Sequence, residues 1–452
     1  MERFCKMKQL RKLTAVFLFS TLLTISFSAC SNADPAPPAD AAITSTSAEI
    51  TSITNVTEVT NGSDARALSD ETAATAETTS NPQQTASAPE TAEPAEDHVV
   101  HMLAVGDNLV QTYVYRRAQE CTADGTSYYF QPLYENVKPI IEAADVAVIN
   151  QETLICGGDY EISGSGFNFN SPVQLGDAMV DLGFDVFTIA NNHMLDKHID
   201  GLESSLDYWD GMMSKYPILT LGAYRNADDQ NRIRTQDVNG IKIAYLAYTE
   251  TLNGYTVPED STVKIGMLTD EALVERQIKE ARQLADAVVV AAHWGKEDTH
   301  VVQQNVKELA EKMIKWGADV IIGTHPHTAQ TMEYIERDDG SLGFVFYSLG
   351  NFISAQTDNF NMVGEMGGFD LVKDSVTGKV SVLNVKCMPV ITHYDNALFG
   401  NLRLYPYNQY SEALASQHGL PYAPMGSAKS FSMDVINDII QQNIPEEFQK
   451  LD

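Results

Sequence analysis

The amino-acid sequence predicts an α/β fold with mixed sheets, and three features predict it. Apolar runs of strand length alternate with segments of helical periodicity, the pattern of strands covered by helices. Asn239-Gly240 and Asp338-Asp339-Gly340 lie between strand-like runs and mark antiparallel hairpins, so the sheets are not purely parallel. Carboxylate, carboxamide and imidazole residues gather where the apolar runs stop, which is where open α/β sheets bind ligands.

Residues 99–105 read as the first strand, 133–143 as a helix and 146–149 as the second strand. A helix at 173–182 leads to a strand at 186–190, and helices at 271–284 and 302–316 lead to strands at 287–292 and 320–323. Beyond residue 402 the periodicity is weak apart from a short helix at 433–442. The body therefore reads as a domain at 98–395 with a C-terminal extension at 396–452 packed on it. Tyr405, Tyr407 and Tyr410 are expected to serve that packing rather than to bind glycans.

The chain opens with Arg3, Lys6, Lys8, Arg11 and Lys12, continues through an uncharged apolar run from Leu13 to Phe27, and reaches Ser28-Ala29-Cys30. That order is a secretory signal, and the run falls short of the roughly 20 residues that a membrane-crossing helix needs. The cysteine after two small residues resembles a bacterial lipobox. Residues 1–30 are thus expected to be a lipoprotein signal peptide, with Cys30 the lipid-bearing first residue of the mature chain. Phe27 stands where Leu is usual, which keeps ordinary signal cleavage open. Residues 31–97 are rich in Ala, Thr, Ser, Pro and Glu, with no aromatic residue and one basic one, Arg66. Such a segment buries too little apolar surface to offset its ordering entropy and should be a disordered acidic tether. The expected location is the extracellular face of the cell membrane, with membrane contact through the lipid anchor only.

The formal net charge is -31, and the acidic excess persists in the body beyond the tether. That excludes a nucleic-acid partner, which needs a basic footprint. Cys121, Cys156 and Cys387 show no metal-ligand spacing; Cys121 and Cys156 flank one strand and are read either as a pair or as isolated thiols.

The chemistry-bearing motifs are Gly106-Asp107, Asn150-Gln151-Glu152, Asn191-Asn192-His193, His293-Trp294-Gly295 and Gly323-Thr324-His325-Pro326-His327. Taken singly, most have a plain reading: a turn for Asp107, a helix cap for His193, a satisfied core histidine for His293. His325-Pro326-His327 is harder to dismiss, because proline favours an extended residue before it and would hold two imidazoles on one stiff segment. Residues 166–170 could rim a substrate site, although an ordinary loop is the simpler reading.

Together with Met194-Leu195-Asp196 and Ser348-Leu349-Gly350-Asn351-Phe352, these motifs resemble the capsule synthesis protein CapA family across residues 98–390. That family lies within the calcineurin-like metallophosphatase superfamily. The resemblance implies a four-layer α/β/β/α sandwich of two mixed sheets, a dinuclear centre and a part in poly-γ-glutamate capsule synthesis or export. It places Asp107 and His327 on a first metal, Glu152 as the bridge, and Asn192, His293 and His325 on a second. His193 would stabilise or protonate the leaving group, and Asp196 and Asn351 would support imidazoles from behind. Imidazole and carboxylate ligands suit Mn, Zn or Fe as two divalent ions. Two departures stand out. Asn108-Leu109 follows Asp107 where Asp-x-His is usual, and Glu152 replaces a bridging Asp.

The reading is a metal-dependent hydrolase or transferase of phosphoesterase type. Its substrate would be an anionic polymer or a phosphoester, with capsule-synthesis membrane proteins as partners. The competing reading is a surface component that binds polymer or partner proteins without catalysis.

Overall fold

The computed structural model describes residues 97–158 and 160–452; the readings for the signal segment, Cys30 and the tether fall outside the described residues. Within them, continuous apolar runs fold as strands because both faces are covered. In Ala287–His293, Ala287, Val289 and Ala291 turn toward the interior between two sheets, while Val288, Val290 and Ala292 pack beneath helices.

The chain first lays down β1 (His98–Asn108), β2 (Val146–Asn150), β3 (Val186–Thr188) and β4 (Leu219–Leu221), parallel neighbours in one sheet. It then builds a second sheet from β5 (Arg234–Val238), β6 (Ile241–Thr249), β7 (Ala287–His293), β8 (Val320–Thr324), β9 (Met332–Glu336) and β10 (Leu342–Phe346). The order there is β9-β10-β8-β7-β6-β5, parallel in the centre and antiparallel at both edges. The return to the first sheet adds β11 (Asn351–Ile353), parallel to β1, then antiparallel β12 (Val363–Lys373), β13 (Val380–His393) and β14 (Arg403–Pro406). Both expected hairpins form. Asn239 and Gly240 take positive φ (48° and 81°) between β5 and β6, as a two-residue turn of this kind requires.

Helices Val173–Asp181 and His198–Lys215 pack on the first sheet, with Trp209 against Phe187 at 4.8 Å between ring centroids. Helices Glu271–Leu284 and Gln304–Trp316 cover the second through Val274, Ile278, Ala310 and Met313. The result is a four-layer α/β/β/α sandwich of two mixed sheets.

Three local expectations are corrected. The helix read at 133–143 is two short helices, Gln131–Tyr134 and Lys138–Ile141, each with proline in its first turn; Pro139 starts the second and cannot continue the first. Helix His198–Lys215 was not anticipated, because its buried face includes Gly201 and Ser205 and dilutes an apolar-only pattern. Residues beyond 402 begin with β14, which extends the first sheet, before reaching helix Met433–Asn443. Cys121, Cys156 and Cys387 are free thiols, and no described helix is long and apolar enough to cross a membrane.

Candidate metal centre

The parallel strands β1, β2, β3, β7 and β8 end on one rim of the sandwich, and the predicted residues follow those ends. Reaching it takes close backbone approach. A Cβ on Gly106 would lie 1.9 Å from Gly350 O, so only glycine lets β1 bulge there and set Asp107, whose N–H donates to Gly350 O at 2.9 Å.

Asp107, Glu152, Asn192, His193, His293, His325 and His327 are all buried and all meet at this rim. Asp107 accepts from Asn150 Nδ2 at 2.7 Å on one oxygen and from the His325 backbone N–H at 3.2 Å on the other. His327 Nδ1 lies 3.1 Å from that second oxygen and 3.0 Å from Asn351 Oδ1. Asn351 spends its amide hydrogens on Ser354, Gln356 and backbone carbonyls, so its oxygen faces His327 and fixes Nδ1 as the donor. His327 Nε2 is then aimed at Glu152, 3.6 Å from Oε1.

Glu152 is the centre of the arrangement. Neither of its oxygens has a hydrogen-bond partner, yet His327, His293 and His193 turn Nε2 toward Oε1 at 3.6, 3.9 and 4.0 Å. A buried carboxylate without donors is costly, and a cation among these atoms would remove that cost. Ligand atoms of Asp107, Glu152 and His327 lie within 4.8 Å of one another, so the residues fit a divalent ion. Beside them, His293 Nε2 faces the carboxamide oxygen of Asn192 at 3.0 Å while its Nδ1 is held by Thr324 Oγ1 at 3.0 Å. The His325 ring lies 4.6 Å from that of His293, tilted at 51° to it, and leaves Nδ1 buried without a partner.

The electrostatics follow from burial. Desolvation and the charge of Asp107 push Glu152 well above the usual carboxylate range. Desolvation, with the neighbouring imidazoles, pulls His293 well down and His325 to about 4. Burial would lower His327 too, but Glu152 and the hydrogen bond to Asp107 outweigh it and raise the imidazole to about 10. Without a cation the site thus sets a proton on His327 against the charge of Asp107.

His193 is held differently. Its Nδ1 bonds Asp196 Oδ2 at 2.8 Å, an oxygen that also accepts from the Phe169 N–H at 2.8 Å, and the Phe169 ring packs edge-on against the imidazole at 4.5 Å. Residues 166–170 are therefore more than a plain loop. They form one arm of a small hairpin, Ser163–Ser165 with Asn168–Asn170, with Phe169 buried and Phe167 exposed beside His193.

Two findings depart from expectation. His325, before Pro326, has φ 98°, and His327 has φ 57°, so the segment is left-handed rather than extended. Strain of this kind, about 1–3 kcal/mol per residue, persists where the surroundings over-determine it, here through Asp107 and Asn351. The second is Glu297, which sequence reasoning passed over: its carboxylate lies with ligand atoms of His325 and His327 in a second group within 4.8 Å. Its only sequence signal was its place in the loop after His293.

Comparison with known proteins gives a consistent picture. The model of the bacterial capsule synthesis protein PGA_cap family matches residues 101–356. The PGA biosynthesis protein CapA of Bacillus subtilis (strain 168) is 30% identical over 262 residues, 58% of this chain and 64% of that protein. The capsule biosynthesis protein CapA of Bacillus anthracis is 29% identical over 269 residues, 58% and 61% respectively. The chain therefore matches less than two thirds of the length of either relative. Among solved structures, a novel phosphatase from Mycoplasma pneumoniae is 13% identical with a TM-score of 0.39, over 66% of this chain and 95% of that one, too distant to lend any residue a role.

Proposed function

We propose that this chain, which belongs to the bacterial capsule synthesis protein PGA_cap family, is a cell-envelope component of capsule synthesis or export that acts as a metal-dependent hydrolase or transferase. The observation that carries the reading is Glu152: fully buried, both oxygens without donors, and faced by three imidazole nitrogens. Asp107, Glu152 and His327 would hold one divalent ion; Asn192, His293 and His325, with Glu152 between, would hold the other. Two such ions, Mn, Zn or Fe, would supply Lewis-acid chemistry suited to a displacement by water. His193 sits beside them with Nδ1 committed to Asp196, which leaves Nε2 to hand a proton to a leaving group. The exposed Phe167 gives the entrance an apolar wall. The names of the relatives suggest poly-γ-glutamate as the polymer, and the signal and Cys30 suggest a lipid-anchored location facing outward. For so acidic a chain, cations would have to mediate contact with a polyanion.

One observation favours the non-catalytic, polymer-binding alternative: no imidazole follows Asp107, since Leu109 is apolar and Asn108 is spent on Gln151 and Tyr134. Activity separates the two. The purified chain with Mn or Zn should cleave a phosphodiester or a γ-glutamyl substrate, and His193→Ala should lower turnover by about 10²–10⁴-fold with metal content unchanged. If the wild type cleaves neither substrate and His193→Ala cells still make capsule, the catalytic reading is lost.

A further inference from the structure

The loop after β7 is pinned to the loop after β8. Asp298 donates its N–H to Pro326 O at 3.0 Å, and Thr328 Oγ1 and Gln330 Nε2 both donate to Thr299 O at 2.8 Å. Asn361 ties the two together, its Nδ2 3.1 Å from Asp298 Oδ1 and 3.2 Å from His327 O. Asp298 has φ 57°, so the turn is left-handed at the residue next to Glu297. This docking holds the exposed Glu297 carboxylate over the imidazoles, with ligand atoms of Glu297, His325 and His327 within 4.8 Å of one another. Glu297 forms no hydrogen bond or ion pair among the described residues. Beneath it, His325 Nδ1 is buried and equally without a partner.

An exposed carboxylate and a buried imidazole nitrogen, brought together by a braced loop and both left unsatisfied, have one economical completion, a divalent cation between them.

We propose that Glu297 is a metal ligand, closing from the loop side, next to His327, the divalent-cation seat that the two-ion reading gives to His325. The inference rests on the two-ion reading above and adds to it the residue that completes the outer ion's shell. Because the carboxylate reaches in from a surface loop, this ion exchanges with solvent more readily than the one held by Asp107 and Glu152.

The test is a Mn²⁺ titration of the full-length chain by calorimetry, with bound Mn²⁺ counted by electron paramagnetic resonance, for wild type, Glu297→Gln and Glu297→Asp. The wild type should take up two ions. Glu297→Gln should weaken one of them by at least about tenfold and leave the other unchanged, with Glu297→Asp intermediate. The metal-free melting curve should move little, since the exposed carboxylate has no hydrogen bond or ion pair among the described residues to lose and acts on His327 and Glu152 only through its charge. Two ions bound with equal affinity by wild type and Glu297→Gln would overturn the assignment of Glu297 and leave the two-ion reading intact. A single ion that Glu297→Gln does not weaken overturns the assignment as well. A wild type that binds no Mn²⁺ overturns both.

Discussion

Glu152 at the rim and Glu365 on β12 are both fully buried carboxylates, both are pushed up by desolvation, and both leave an oxygen without a donor. Their surroundings differ. Glu365, on β12, receives one weak hydrogen bond, from Cys387 Sγ at 3.3 Å, and among the described residues it pairs with no imidazole. Its carboxyl rises to about 8 and the group simply keeps its proton. Glu152 is faced by three imidazole nitrogens and lies beside a second carboxylate, Asp107. A proton cannot satisfy that many lone pairs at once, but a cation can. An orphaned buried carboxylate is therefore no evidence of a ligand by itself; the donor set around it decides.

Glu365→Gln should show the largest effect. Folding raises this carboxyl from 4.5 to about 8, so the unfolded chain binds fewer protons between those values and wild-type stability falls as pH rises through that window. The loss is about 1.4 kcal/mol per pH unit, on the order of 4–5 kcal/mol in all. Urea unfolding from pH 5 to pH 8 should show this slope in wild type and a flatter one in Glu365→Gln, with metal binding untouched. Identical slopes would mean that Glu365 does not hold its proton and that the contrast with Glu152 is false.

Glu152→Gln should do the reverse, weakening metal binding by about 100-fold or more while leaving metal-free stability equal or higher, because a buried carboxyl group with no hydrogen-bond partner is removed. Elemental analysis after dialysis reads the first effect and a melting curve the second. Wild-type metal content in this variant would reduce Glu152 to the same status as Glu365. Cys387→Ala sharpens the other half. Loss of the side-chain donor to Glu365 should cost about 1–2 kcal/mol at pH 5 with metal affinity unchanged, and a change in metal affinity instead would show the two carboxyl groups to be coupled.

The sequence made the rim legible because the information lay in strand ends. Buried strands read as apolar runs, their stops are sharp, and Asp107, Glu152, Asn192, His193, His293 and His327 sit at or just past those stops. What lay beyond reading depended on packing. Glu365 sits in β12, where a charge ordinarily reads as facing solvent, yet it lies among five consecutive buried residues at the start of that strand. Glu297 lies in an exposed loop whose importance comes from its docking onto residues 326–330. The positive φ of His325 could not be anticipated either. Proline biases the preceding residue toward extension, and the grip of Asp107 on the His325 N–H overrides that bias.

Asp107 and Glu152 come from the first sheet, and His293, His325 and His327 from the second. Whatever both sets grip acts as a rivet through the sandwich, and its binding energy is added to the adhesion between layers. A chain loaded in this way would resist shear and proteolysis better than an empty one. Scarcity of metal would then lower the amount of intact, folded chain.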